Sequence, residues 1–134
     1  MPILIWKNSF NLGIEIIDEQ HRHLIDTLNK LFDSLNEGKE NVVLGETLNE
    51  LINYALAHFE TEEEYFKKFN FEGAKEHILE HQKLKERVAT FKEQFKEKGS
   101  RILNEVTQLI GNWFSDHEEN YDRQYVKCFK EHGL

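Results

Sequence analysis

Between Asn41 and Phe69 the apolar residues Leu44, Leu48, Leu51, Ala55, Tyr65 and Phe69 fall at alternating steps of four and three, and the same series runs through His58 and Glu62. That rhythm describes a helix with one inward stripe. An imidazole and a carboxylate one turn apart therefore share the face turned to the interior. A buried carboxylate is costly unless it is paired or bound to a metal. Any fold for this chain has to satisfy Glu62.

The rhythm recurs three more times. Ile17, His21, Leu24, Leu28, Leu31 and Leu35 predict a first helix over about 18–37, with Asp18 as its N-cap and Gly38 as its stop. The Leu44 series predicts a second over about 42–69, closed by Asn70. Ala74, His77, His81, Leu84, Val88, Phe91 and Phe95 predict a third over about 73–98. Ile102, Val106, Leu109, Trp113 and His117 predict a fourth over about 101–129, capped by Ser100 and carrying Asp122. Gly111 inside it either weakens the helix or lets a neighbour approach closely. His23 falls off its stripe and is expected in water. Residues 1–16 read as an irregular arm anchored by Ile3, Ile5, Trp6, Phe10 and Leu12, with Trp6 as a plug over one side. Loops this short make consecutive helices antiparallel neighbours. The expected fold is all-α, an up-down-up-down antiparallel four-helix bundle forming one domain over 1–134.

Bulk properties remove several functions. A net charge of -8 argues against nucleic acid and anionic lipid as partners. No apolar run approaches the roughly 18 residues of a membrane span. The stretch Met1–Lys7 has neither the basic region nor the cleavage site of a signal peptide. The single Cys128 suits a reduced, cytoplasmic setting and is expected to be a packing thiol. A monomer is the expectation for so charged a surface.

Of the seven histidines, His21, His58, His77, His81 and His117 land on inward stripes. His58 and Glu62 lie late in the second helix, and His77 and His81 early in the third, so they share a level beside the connecting turn. His21 early in the first helix reaches that level, as do His117 and Asp122 late in the fourth. Such a cluster without a cation would be strongly destabilising. Seven ligands exceed a four-coordinate zinc site, and imidazole with carboxylate suits iron, zinc, copper or nickel. Two ions bridged by Glu62 and Asp122 would use every ligand. The Glu-x-x-His pairs of ferritin-type sites do not occur here.

At these residues the chain resembles the hemerythrins, specifically the bacteriohemerythrins, over nearly its whole length. The resemblance rests on Trp6, on Asp18-Glu19-Gln20-His21-Arg22-His23-Leu24, on His58-Phe59-Glu60-Thr61-Glu62-Glu63, on the His77 and His81 pair, and on His117 with Asp122. It implies a non-haem di-iron centre, bridged by Glu62, Asp122 and an oxo or hydroxo group, that binds O2 reversibly without being an enzyme. By resemblance His77, His81 and His117 hold one iron, and His21 and His58 hold the other, which keeps an open position. The O2 pocket would include Leu24, Phe59, Trp113, Phe114 and Glu118. Glu118 is a departure, because an aliphatic residue usually stands there. Facing the irons, it could ligate the open position or give up a proton, which favours oxidase or peroxidase chemistry; turned to solvent or an ion pair, it would do neither.

Three rivals stand beside the carrier. His77-Ile78-Leu79-Glu80-His81 fits a zinc hydrolase motif with Glu80 as base, but it leaves His21, His58, His117 and Asp122 unused. Sensing or scavenging of NO or peroxide could use the same site. A purely structural helical module would survive chelation, whereas a metal-organised core should not.

Overall fold

A computed structural model describes residues 3–134, so the first two residues of the expected arm lie outside it. The helices are α1 (Glu15–Asn36), α2 (Asn41–Lys68), α3 (Ala74–Lys98), α4 (Leu103–His117) and α5 (Arg123–Glu131). No strand occurs among the described residues. α4 and α5 are joined without a break by a π-helical turn, Glu118–Asp122, into one bent rod. Three further helices and this rod make an antiparallel bundle, with α1 against α2 and α4, and α2 against α3.

The reversals follow from local chemistry. Gly38 (φ 71°) and Asn70 (φ 52°) adopt the left-handed conformation that stops a helix. Beyond each, an amide reaches back to the last turn: Lys39 N–H to Ser34 C=O at 3.1 Å, and Phe71 N–H to Phe66 C=O at 2.9 Å. Two expected caps differ. α1 begins three residues earlier, and the buried Asp18 accepts hydrogen bonds from Leu12 N–H (2.9 Å) and Gly13 N–H (3.1 Å). Its carboxylate serves the incoming arm, whose donors would otherwise be stranded, and not the helix end. Ser100 lies in a 3-10 turn, Gly99–Ile102, and offers α4 its carbonyl instead of its hydroxyl.

Two apolar layers fill the bundle. One holds Leu28, Leu31, Leu44, Leu51 and Leu103; the other holds Ile17, Phe66, Tyr125 and Phe129. Along α1, His21 falls between Ile17 and Leu24; along α2, His58 and Glu62 fall between Ile52 and Phe66. The polar cluster is thus sealed from both ends. Gly111 is buried, and a methyl there would sit 3.7 Å from Leu28 Cδ2, an ordinary contact, so no close approach requires the glycine. His23 is exposed, its ring tilted against that of Tyr54. Cys128 packs 3.9 Å from the Phe69 carbonyl, and burial raises its thiol pKa.

Candidate metal centre

All seven expected ligands are buried and meet in one layer. Their donor atoms form two groups, His77, His81 and His117 with Glu62, and His21 and His58 with Glu62 and Asp122. Within each group the atoms lie within 4.8 Å of one another. Both carboxylates span the two sets of imidazoles. Glu62 Oε1 is 3.3 Å from His58 Nε2 and 3.2 Å from His81 Nε2. Asp122 Oδ1 is 3.0 Å from His77 Nε2, while its Oδ2 is 3.1 Å from His21 Nε2.

These contacts fit a cation better than a hydrogen-bond network. His21 and His58 oppose Nε2 to Nε2 at 3.1 Å, as His77 and His117 do at 2.9 Å. Both oxygens of Glu62, Nε2 of His81 and Oδ1 of Asp122 lack a hydrogen-bond partner of adequate geometry. Buried polar atoms are rarely left so. A donor set of imidazoles and carboxylates converging on shared space meets the requirement of a metal site.

Two ligands are held from behind by residues that lie beside the inward stripes. His58 Nδ1–H donates to Gln20 Oε1 at 2.6 Å, and Gln20 in turn donates to Thr61 Oγ1 at 3.2 Å. His81 Nδ1–H donates to Glu63 Oε2 at 2.7 Å. Each bond selects the tautomer whose Nε2 lone pair points inward. Burial lowers the pKa of His58 to about 4 and that of His81 to about 3, so both stay neutral near pH 7. Burial also acts to lower His21 and His117, but the adjacent Asp122 carboxylate prevails and raises them. Burial and the nearby Asp122 charge raise Glu62. Burial would raise Asp122 too, yet His117, His21 and His77 hold it well below the usual carboxylate range.

An apolar cavity of about 50 Å³ abuts His58, His117 and Asp122. Leu24, Phe59, Trp113 and Phe114 line it, alongside Leu28 and Leu51. Glu118 does not. Its carboxylate is buried but lines a separate cleft under the arm with Lys7, Asn8 and Ser115, 3.5 Å from the Arg123 guanidinium. Burial raises its pKa despite that cation. Trp6 lies outside the cavity as well, with Arg22 4.5 Å over its ring and Phe10 against its edge.

This fold is that of a known group of helical bundles. Residues 12–128 match the hemerythrin HHE cation binding domain, and the chain belongs to the hemerythrin family. It is 31% identical over 130 residues to bacteriohemerythrin of Pseudomonas aeruginosa, covering 97% of this chain and 84% of that one. Bacteriohemerythrin of Methylococcus capsulatus is 27% identical, covering 96% and 98%. The crystal structure of wild-type hemerythrin matches with a TM-score of 0.87 at 27% identity, over 94% of this chain and 97% of that one. No helix among the described residues is long and apolar enough to cross a membrane.

Proposed function

We propose that this chain binds O2 reversibly at a non-haem di-iron centre. His77, His81 and His117 would hold one iron, His21 and His58 the other, and Glu62 and Asp122 would bridge them. The observation that carries this is the three-plus-two division of imidazoles around two carboxylates that each touch both sets. Iron bound there would supply the electrons that O2 takes up and returns.

The protein's part is to position and to exclude. Gln20 and Glu63 present neutral imidazoles with their lone pairs inward. Leu24, Phe59, Trp113 and Phe114 keep the adjoining space apolar, which disfavours water there. Among the described residues the only titratable side chains that line it, His58, His117 and Asp122, would be engaged with metal. Glu118, the one residue that argued for oxidase or peroxidase chemistry, is engaged with Arg123 in another cleft. That favours a carrier or store over a catalyst. The test is an absorption spectrum under air and then under argon, with iron counted per chain. Bands that come and go with O2 at two irons per chain are expected; bands that never reverse would favour redox catalysis, and one zinc per chain a hydrolase.

A further inference from the structure

One wall of the apolar cavity is supplied by no helix. Leu4, from the arm, lines it beside Leu24, Ile25 and Leu28, and among the described residues it is the only lining residue outside the helical elements. Leu4 is half-buried, with one side on the cavity and the other towards water. Opening any other wall would mean unpacking helices, which close-packed interiors resist.

The Leu4 side chain packs on the apolar clusters around Leu28 and Phe114, and its backbone is fixed by one side chain of α1. Asn29 Oδ1 accepts from Ile3 N–H at 2.9 Å and Leu4 N–H at 3.1 Å, while Asn29 Nδ2 donates to Leu4 C=O at 2.7 Å. The amide thus satisfies both backbone polar groups of Leu4, as a neighbouring strand would. Asn29 itself does not line the cavity. The arm is held again further on by Trp6 and Phe10, and Phe10 packs edge-on against Phe114 at 5.4 Å. Between the two anchors, Ile5 is 65% exposed and holds nothing. Segments fastened by a few partly exposed hydrogen bonds open locally without global unfolding.

We infer that Leu4 is the gate of the ligand cavity and Asn29 its latch, together setting how fast small apolar molecules reach the metal layer. The physiological meaning rests on the O2 reading, but the physics of the gate does not. Xenon is therefore the probe, with its exchange into the cavity of the iron-loaded protein followed by NMR. Asn29→Ala removes all three bonds and should speed that exchange by at least about fivefold, the factor that one net hydrogen bond of about 1 kcal/mol corresponds to. It should also abolish hydrogen-exchange protection at the Ile3 and Leu4 amides. Asn29→Asp, which keeps the acceptor and loses the donor, should fall between. Leu4→Ala should match Asn29→Ala, and the double variant should go no further. An arm that loses protection while xenon exchange stays at the wild-type rate overturns the gate; protection that survives Asn29→Ala overturns the latch. Faster xenon exchange in a protein that fails to bind O2 would sink the carrier reading and leave the gate standing.

Discussion

His117 Nε2 and Asp122 Oδ1 meet at 3.1 Å although Asp122 stands five positions beyond His117 in the chain. In an α-helix, at 100° per residue, that spacing would leave the two side chains roughly 140° apart. The π-helical turn over Glu118–Asp122 absorbs the difference and returns Asp122 to the face of His117. Such turns concentrate at functional sites, and this one lets one carboxylate touch His21, His77 and His117 together.

Asp122→Asn keeps the shape of that contact and removes its charge. Metal bound per chain should fall from two ions to one or fewer, because an amide does not bridge two cations as a carboxylate does. Metal analysis after iron or cobalt loading reads this directly. Two ions retained with undiminished affinity would show that Asp122 is not shared.

Much of the buried cluster was legible because its candidate ligands obey the same spacing as the core. His58 and Glu62 continue the Leu44 series, and His77 and His81 open the Leu84 series. Gln20 and Glu63 were not legible as supports. They sit beside the stripe, where a polar residue looks like ordinary surface, and only the fold places them behind imidazoles. The π turn did leave a trace, since two inward ligands five apart cannot share an α-helical face. Asp18 misled for a physical reason: its carboxylate reaches back to the arm's amides, a partnership no local pattern encodes. Leu4 was hidden because an irregular arm has no period from which its direction could be read.

The charge states make metal uptake pH-dependent. Burial works against it, but Asp122 raises the pKa of His21 and His117, so protons on these two imidazoles compete with a cation over a range shifted to higher pH. Affinity should therefore rise with pH through those raised values and fall below them. His58 and His81, neutral down to about 4 and about 3, add no pH dependence near neutrality. Calorimetric titration of the metal-free protein with zinc, in buffers of different ionisation enthalpy, should record proton release that grows as the pH is lowered through the neutral range. Zero release would contradict the assignment.

Glu63→Gln replaces a carboxylate behind His81 with an amide like the one behind His58. Losing such a partner typically costs about 10- to 100-fold in metal affinity, and the amide should recover part of it. Glu63→Ala should show the full loss. Competition with a chelator measures both, and equal affinity in all three proteins would reduce Glu63 to a surface residue.

Gly111→Ala tests the helix itself. Glycine in a helix interior costs about 0.5–1 kcal/mol relative to alanine, and the added methyl meets Leu28 Cδ2 at an ordinary 3.7 Å. The variant should be more stable by about that amount, seen as a higher midpoint in urea at unchanged slope. Destabilisation would mean that the α4 backbone sits closer to its neighbour than this spacing indicates.

Glu118→Leu tests whether this carboxylate takes part in chemistry at the site. Its carboxylate is 3.5 Å from Arg123 and lines the cleft beneath the arm, not the cavity beside His58 and His117. On the proposed O2-binding reading, a group so placed would neither ligate iron nor hand a proton to bound oxygen, so the lifetime of the O2 complex should change by less than about twofold, the scale of a few tenths of a kcal/mol. The cost should fall on stability instead, because Arg123 loses its buried partner. Following decay of the O2 complex in wild type and variant separates the two effects. A lifetime that lengthens tenfold or more would mean that Glu118 swings into the cavity and supplies the proton after all.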